Sequence, residues 1–150
     1  EKLARENSLE ATKITITNYL GVILWINAIM TESRINNKGY LWVFSSVAGD
    51  LGRPSNYHYG AAKSAITTYC EGLSARCHNK PFKVKIIKPG YIYTRKTIDL
   101  APKILCITPK KTAEILFKSK YKKGIQYIPS WWKFVIFIIK RLPLSFLSKL

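Results

Sequence analysis

The chain has 150 residues, enough for one domain around one sizeable core, and its 47% hydrophobic and 22% charged residues exclude wholesale disorder. Its charge is lopsided: 25 Lys and Arg against 8 Asp and Glu give +17. Either composition is globally biased or the partner is anionic, and nucleic acid, anionic lipid and phosphorylated ligands are the classes to weigh. No zinc-finger spacing, RNP-like motif or basic heptad region occurs, so a nucleic-acid partner has electrostatics alone behind it.

In chain order, Glu1-Lys2-Leu3-Ala4 reads as a first helical turn. From about Ser8 to Glu32, apolar positions such as Ile14, Tyr19, Val22, Ile26 and Ile29 recur at helical spacing and predict a helix packed on a sheet. Asn36-Asn37-Lys38-Gly39 breaks it, and the aromatic and β-branched run Tyr40 to Phe44 predicts a buried strand. Gly49, Gly52 and Pro54 mark a loop. A second helix is expected from Ser55 to about Cys77, stopped by Asn79 and Pro81. Val84 to Ile87 predicts another buried strand, ended by Lys88-Pro89-Gly90; Thr108-Pro109 opens a third helix, and Gly124 to Ile128 reads as a last strand. Helices alternating with short strands give an α/β class with a parallel sheet and crossover helices.

The sharpest local feature is Tyr59-Gly60-Ala61-Ala62-Lys63. Four residues on a helix rise roughly 6 Å, so phenol and ammonium share a face. A nearby ammonium favours phenolate, so Lys63 is expected to lower the Tyr59 pKa and make a general acid/base of it. Ser46 precedes Tyr59 by 13 residues at the end of a predicted strand, where open α/β sheets place their ligands. The next predicted strand ends in Pro89-Gly90-Tyr91-Ile92-Tyr93-Thr94, so strand ends and helix face converge on one crevice.

With these motifs in order, the chain resembles the short-chain dehydrogenase/reductase family: Ser46, the Y-x-x-x-K of Tyr59 and Lys63, the P-G-x-x-x-T of Pro89, Gly90 and Thr94, and the N-x-x-G of Asn18 to Gly21. The resemblance implies an NAD(P)-dependent oxidoreductase that interconverts a carbonyl and an alcohol by hydride transfer. It makes Tyr59 the acid/base, Lys63 its pKa partner and a ribose ligand, Ser46 the group at the substrate oxygen, and Asn18 the holder of a relay water. It also gives Pro89, Gly90, Ile92 and Thr94, with Tyr59 and Lys63, as cofactor-binding residues. NAD or NADP is the implied cofactor and no metal site is expected.

The family's Gly-rich phosphate loop does not occur in the sequence. The expected fold is therefore the C-terminal part of a Rossmann-like, doubly wound parallel sheet whose N-terminal phosphate-binding half is missing, in a truncated or split chain. The competing reading is an inactive remnant serving as a membrane-associated or protein-binding fragment. Residues 1–130 form the partial catalytic domain in this reading, and residues 131–150 an apolar, basic helical tail. The run Trp131 to Ile139 with Lys140-Arg141 behind it suits a helix at a membrane interface or one covering a cleft or subunit interface. Its uninterrupted length falls short of the ~20 residues of a spanning helix.

The tail, and Ala48 to Asn56, resemble the subgroup containing the reductase component of decaprenylphosphoryl-ribose 2-epimerase, which implies a lipid-linked or keto-sugar substrate. Homo-oligomerisation or a complementing N-terminal half are further expected partners. Asp50 and Arg53 either shape the substrate loop or stabilise it as a pair, Tyr91 and Tyr93 line the cleft or pack in the core, and His58 packs or faces solvent. Three cysteines without a metal or redox pairing pattern, and no signal-peptide pattern, lead to the expectation of reduced thiols in a cytoplasmic protein, peripheral on the inner membrane face.

Overall fold

The computed structural model describes residues 1–95, 97 and 101–148. A short helix, α1 (Lys2–Glu6), ends at Asn7, whose side chain accepts hydrogen bonds from the amides of Leu9 (2.9 Å) and Glu10 (3.4 Å) and so caps α2 (Ser8–Thr15). A π-helical turn (Ile16–Leu20) and α3 (Gly21–Ile29) continue α2 without leaving helical dihedrals, so residues 8–29 act as one long helix, as the apolar periodicity predicts. A single turn, α4 (Glu32–Ile35), leads into β1 (Gly39–Phe44).

The remaining order is α5 (Tyr57–Arg76), β2 (Phe82–Pro89), β3 (Tyr91–Ile92), β4 (Cys106–Ile107), α6 (Pro109–Lys118), β5 (Gly124–Ile128), α7 (Trp132–Ile139) and α8 (Leu144–Leu147). The main sheet has the order β1-β2-β5, all parallel, with Gly39 opposite Phe82 and Lys85 opposite Gly124. Parallel neighbours need crossovers, and α5 and α6 supply them. β3 and β4 form a separate parallel pair.

The two faces of the sheet carry different helices. Val43, Val84 and Ile86 pack with Ile26 and Met30 of the long helix region and with Ile66, Cys70 and Leu73 of α5. Ile87 and Ile128 face the other way, onto Leu116 of α6 and Ile107. This is the doubly wound arrangement the sequence predicts, with the central strand β2 buried on both faces.

β2 is longer than the predicted Val84 to Ile87, running from the buried Phe82 to Pro89, and two of its charged side chains, one inside the predicted run and one beyond it, are buried rather than solvated. Lys85, 1% exposed, lies over the Trp42 ring and donates to the Ser119 carbonyl (2.7 Å). Lys88 reaches Asp50 across the top of the sheet. The start of α5 is two residues later than predicted. α6 begins where the Thr-Pro pair places it: Thr108 Oγ1 accepts from the Lys111 amide (3.2 Å), with Pro109 in the first turn. One face of α7, through Trp132 and Ile136, joins Val47, Tyr91 and Tyr127 in a third small core; among the described residues no helix is long and apolar enough to cross a membrane.

Candidate active site

The site lies beyond the carboxyl ends of β1 and β2, where open α/β sheets place their ligands. After Phe44 the two serines diverge. Ser45 is structural: its amide donates to the Ile87 carbonyl (2.8 Å), and its hydroxyl meets the Lys63 carbonyl (2.9 Å) and Thr67 Oγ1 (2.7 Å) inside the core. Ser46 turns outward. Its Oγ accepts from the Ala48 amide (3.1 Å), capping a short 3-10 turn (Val47–Gly49), and the same hydroxyl neighbours the Tyr59 phenol.

Two glycines allow that approach. A Cβ on Gly49 would stand 2.7 Å from the Lys63 backbone, and one on Gly60 would stand 2.8 Å from the Ala48 carbonyl oxygen. The 3-10 turn therefore sits directly against the first turns of α5, and this contact brings Ser46 to Tyr59.

Tyr59 and Lys63 lie one turn apart on α5, both half-buried, with the ammonium 5.7 Å from the ring centroid. The Lys63 Nζ donates to the Phe44 carbonyl (3.1 Å) at the end of β1. Burial raises the Tyr59 pKa above its ordinary value, with the neighbouring Ser46 hydroxyl working against it, while burial lowers that of Lys63. This corrects the expected sign for the phenol. Desolvation of the phenolate outweighs a cation whose own hydrogen bond goes to a backbone carbonyl. Tyr59 in this state is a protonated acid at neutral pH.

A cavity of about 580 Å³ opens in front of these groups, within the ~300–1,000 Å³ typical of small-molecule sites. Of the residues expected from the sequence, Asn18, Ser46, Tyr59 and Gly90 line it. Asn18 lies in the π-helical turn, where its Nδ2 donates to the Ile14 carbonyl (3.0 Å). Lys63, one turn further along α5, is not a lining residue. Pro89, Ile92 and Thr94 are not lining residues. Ile92 packs against the α6-side core, and its carbonyl accepts from the Thr97 hydroxyl, while the Thr94 amide donates to Thr97 Oγ1 (2.9 Å). Thr97, rather than Thr94, faces the cavity.

The sequence reading missed several participants. Glu1 lines the cavity and its carboxylate accepts from the amides of His58 (3.1 Å) and Tyr59 (3.3 Å) and meets His58 Nδ1 (3.0 Å), which gives His58 a partner beyond simple packing. Burial works to raise the Glu1 pKa, but the hydrogen bonds of His58 and Tyr59 together hold it below the ordinary value. Asp50 is bound by Lys88 and by the Tyr127 hydroxyl (3.0 Å), whereas Arg53 reaches the Tyr91 hydroxyl (3.4 Å), so Asp50 and Arg53 serve different partners. Burial, then the Asp50 charge, raises the Tyr127 pKa. Tyr91 both lines the cavity and packs against Trp132.

Two buried polar atoms at this wall have no hydrogen-bond partner among the described residues: Asn56 Oδ1, from a cavity-lining residue, and Trp132 Nε1, set against Gly90. Buried polar atoms in folded proteins are normally satisfied. A ligand carrying both donors and acceptors suits this wall, so the residues present fit a nicotinamide and a polar substrate. Among the described residues no cluster of His, Cys, Asp and Glu could hold a metal ion.

Comparison with known proteins agrees with the geometry. The family model described as short chain dehydrogenase matches residues 2–104, more than half of the chain. An uncharacterized oxidoreductase of Mycobacterium tuberculosis is 30% identical over 140 residues, covering 93% of this chain and 56% of that protein. A dehydrogenase/reductase SDR family protein 7-like of Drosophila melanogaster is 29% identical over 87 residues, 58% of this chain and 27% of its own length. Among solved structures, a short chain dehydrogenase of Burkholderia cenocepacia in complex with NADP superposes with a TM-score of 0.76 at 18% identity, covering 90% of this chain and 58% of that one. A 3-oxoacyl-[acyl-carrier protein] reductase of Brucella melitensis with bound NAD gives 0.65 at 25% identity, covering 79% and 50%. The chain thus spans about half the length of the first curated relatives it matches. With its fold, motif order and family match in agreement, the chain belongs to the short-chain dehydrogenase/reductase family.

Proposed function

We propose that this chain carries the substrate-side chemistry of an NAD(P)-dependent oxidoreductase that interconverts a carbonyl and an alcohol. The observation that supports it best is that Asn18, Ser46 and the half-buried Tyr59 line one cavity, with Ser46 beside the Tyr59 phenol. The nicotinamide cofactor supplies the hydride when bound. Tyr59 donates a proton to the developing alkoxide and Ser46 donates a hydrogen bond to the same oxygen. Donors preorganised toward the developing charge need no reorganisation at the moment of reaction. Lys63 holds a positive charge behind the phenol and helps carry the charge when the proton leaves. Asn18 presents its amide to the cavity and positions water there. Gly90, with Pro89, Ile92 and Thr94 along the same turn, forms the nicotinamide side of the cleft.

The Gly-rich phosphate loop is not among these 150 residues. In this proposal the cofactor's pyrophosphate is held by a segment of a longer parent or of a separate chain. The apolar, basic tail extends the reading to a lipid-linked or keto-sugar substrate met at a membrane surface. The test is fluorescence titration with NADH and NADPH, with and without a segment bearing the phosphate loop, followed by ketone-dependent oxidation of the bound nucleotide. Saturable binding is expected once the segment is supplied, and Tyr59→Phe lowers turnover by about 100- to 10,000-fold. Failure of the completed protein to bind either nucleotide removes the enzyme reading and leaves the inactive remnant.

A further inference from the structure

Two clefts on the side of the molecule formed by α6, β5 and α7 join through shared walls, and neither belongs to the catalytic cavity. The first, about 580 Å³, runs between the end of α6 and β5 and is lined by Lys118, Lys122, Lys123 and Lys133 with Ser119 and Ser130. The second, about 560 Å³, runs along α7 and is lined by Phe134, Phe137 and Lys140. They share Tyr127, Ser130 and Lys133, so the basic cleft passes directly into the apolar one. Among the described residues, five lysines line the pair and no carboxylate does.

Burial along α7 is sharply divided. Trp132 and Ile136 are 6% and 8% exposed in the core beside Tyr91 and Val47, whereas Phe134 and Phe137 are 66% and 54% exposed. Beyond α7, Leu144 and Phe146 are also exposed, and the Arg141 guanidinium covers the Phe137 ring at 3.4 Å from its centroid. Exposed aromatic side chains beside lysines unmatched by acids need a partner that is apolar and anionic at once. A bilayer with anionic headgroups offers both, headgroups to the lysines and the acyl boundary to the phenylalanines. A soluble phosphorylated ligand accounts for the lysines alone, and an apolar protein surface accounts for the phenylalanines alone.

We infer that these joined clefts are a docking surface for an anionic lipid bilayer, with Phe134 and Phe137 inserted and Lys118, Lys122, Lys123, Lys133 and Lys140 on the headgroups. The inference shares with the proposed function the reading of the tail as membrane-facing, and is independent of the reaction. Docking in this pose holds α7 on its outer face while its inner face, through Trp132, rests on Gly90 at the catalytic wall. The lipid surface and the candidate active site thus share one helix.

The experiment is co-sedimentation of the full chain with vesicles of phosphatidylcholine alone and of phosphatidylcholine mixed with phosphatidylglycerol, with tryptophan emission recorded in parallel. Binding to the mixed vesicles with a blue shift is expected, weakening as salt is raised. Phe134→Ser/Phe137→Ser and Lys122→Gln/Lys123→Gln should each lower the partition coefficient by roughly tenfold or more. Lys2→Gln/Lys38→Gln removes equal charge from exposed positions elsewhere and should leave binding nearly unchanged, with circular dichroism verifying the fold of each variant. No binding to mixed vesicles at low salt overturns the inference, as does equal loss from the Lys2/Lys38 pair, which marks diffuse adsorption. Dimerisation that Phe134→Ser/Phe137→Ser abolishes, without vesicle binding, assigns the face to a second copy and also overturns it. Loss of nucleotide binding leaves all these results standing, so the two readings fail separately.

Discussion

Tyr59 is the residue on which the chemistry turns, and its protonation state is decided by competition. Removing the phenol from water disfavours the phenolate, and the neighbouring Ser46 hydroxyl opposes this without reversing it. Because the folded pKa lies above the ordinary value of 10.0, the protonated phenol contributes stability in full below about pH 10, and that contribution is lost as pH rises through the folded pKa. Ultraviolet titration of wild type against Tyr59→Phe should isolate a tyrosine with a midpoint above 10.0. Ser46→Ala removes the hydroxyl that favours the phenolate and should raise the midpoint further. A midpoint at or below the ordinary value in the chain alone would mean that the Lys63 charge prevails over burial. The spacing of Tyr59 and Lys63 was legible in the sequence because a helical turn fixes it. The sign of the shift was not, since burial is set by elements far apart in the chain.

At the scale of elements, Asp50 ties three of them together. It follows the 3-10 turn that Ser46 caps, and it holds Lys88 at the end of β2 and the Tyr127 hydroxyl on β5. Lys88 and Asp50 side chains are only 4% and 7% exposed, so each charge depends on the other. Asp50→Asn leaves the Lys88 ammonium buried beside a neutral amide and should destabilise the fold by about 3–5 kcal/mol in urea unfolding. Asp50→Asn/Lys88→Met removes both charges and should recover most of that loss. A single-variant loss below about 1 kcal/mol, the size of a surface pair, would show that the pair does not clamp the loop.

The same residues explain what periodicity read and what it could not. Apolar spacing placed the long first helix, α5, α6 and the cores of all three main strands. It shortened β2 because Lys83 and Lys88 resemble solvated positions, although Asp50 gives Lys88 a buried partner, as Trp42 and Ser119 do for Lys85 inside the predicted strand. The π-helical turn around Asn18 left no mark in residue type, and neither did the placement of Thr97 in the cavity ahead of Thr94.

For the whole molecule, the arrangement of the sheet sets how copies meet. Among the described residues β1 is an end strand, with Tyr40 and Phe44 39% and 48% exposed beside its open edge. An open strand edge is a template for another strand, whereas +17 charges keep copies apart. Raising ionic strength shortens the Debye length below the ~8 Å of physiological salt and removes the repulsion while leaving the edge intact. Self-association should therefore grow with salt in sedimentation velocity. Tyr40→Lys/Phe44→Lys, which places charge beside the edge, should suppress it, and so should a segment that extends the sheet past β1. Vesicle docking through α7 has the opposite salt dependence, so one salt series separates the two surfaces. Association that weakens with salt, or that ignores the Tyr40 and Phe44 substitutions, would locate the contact away from β1.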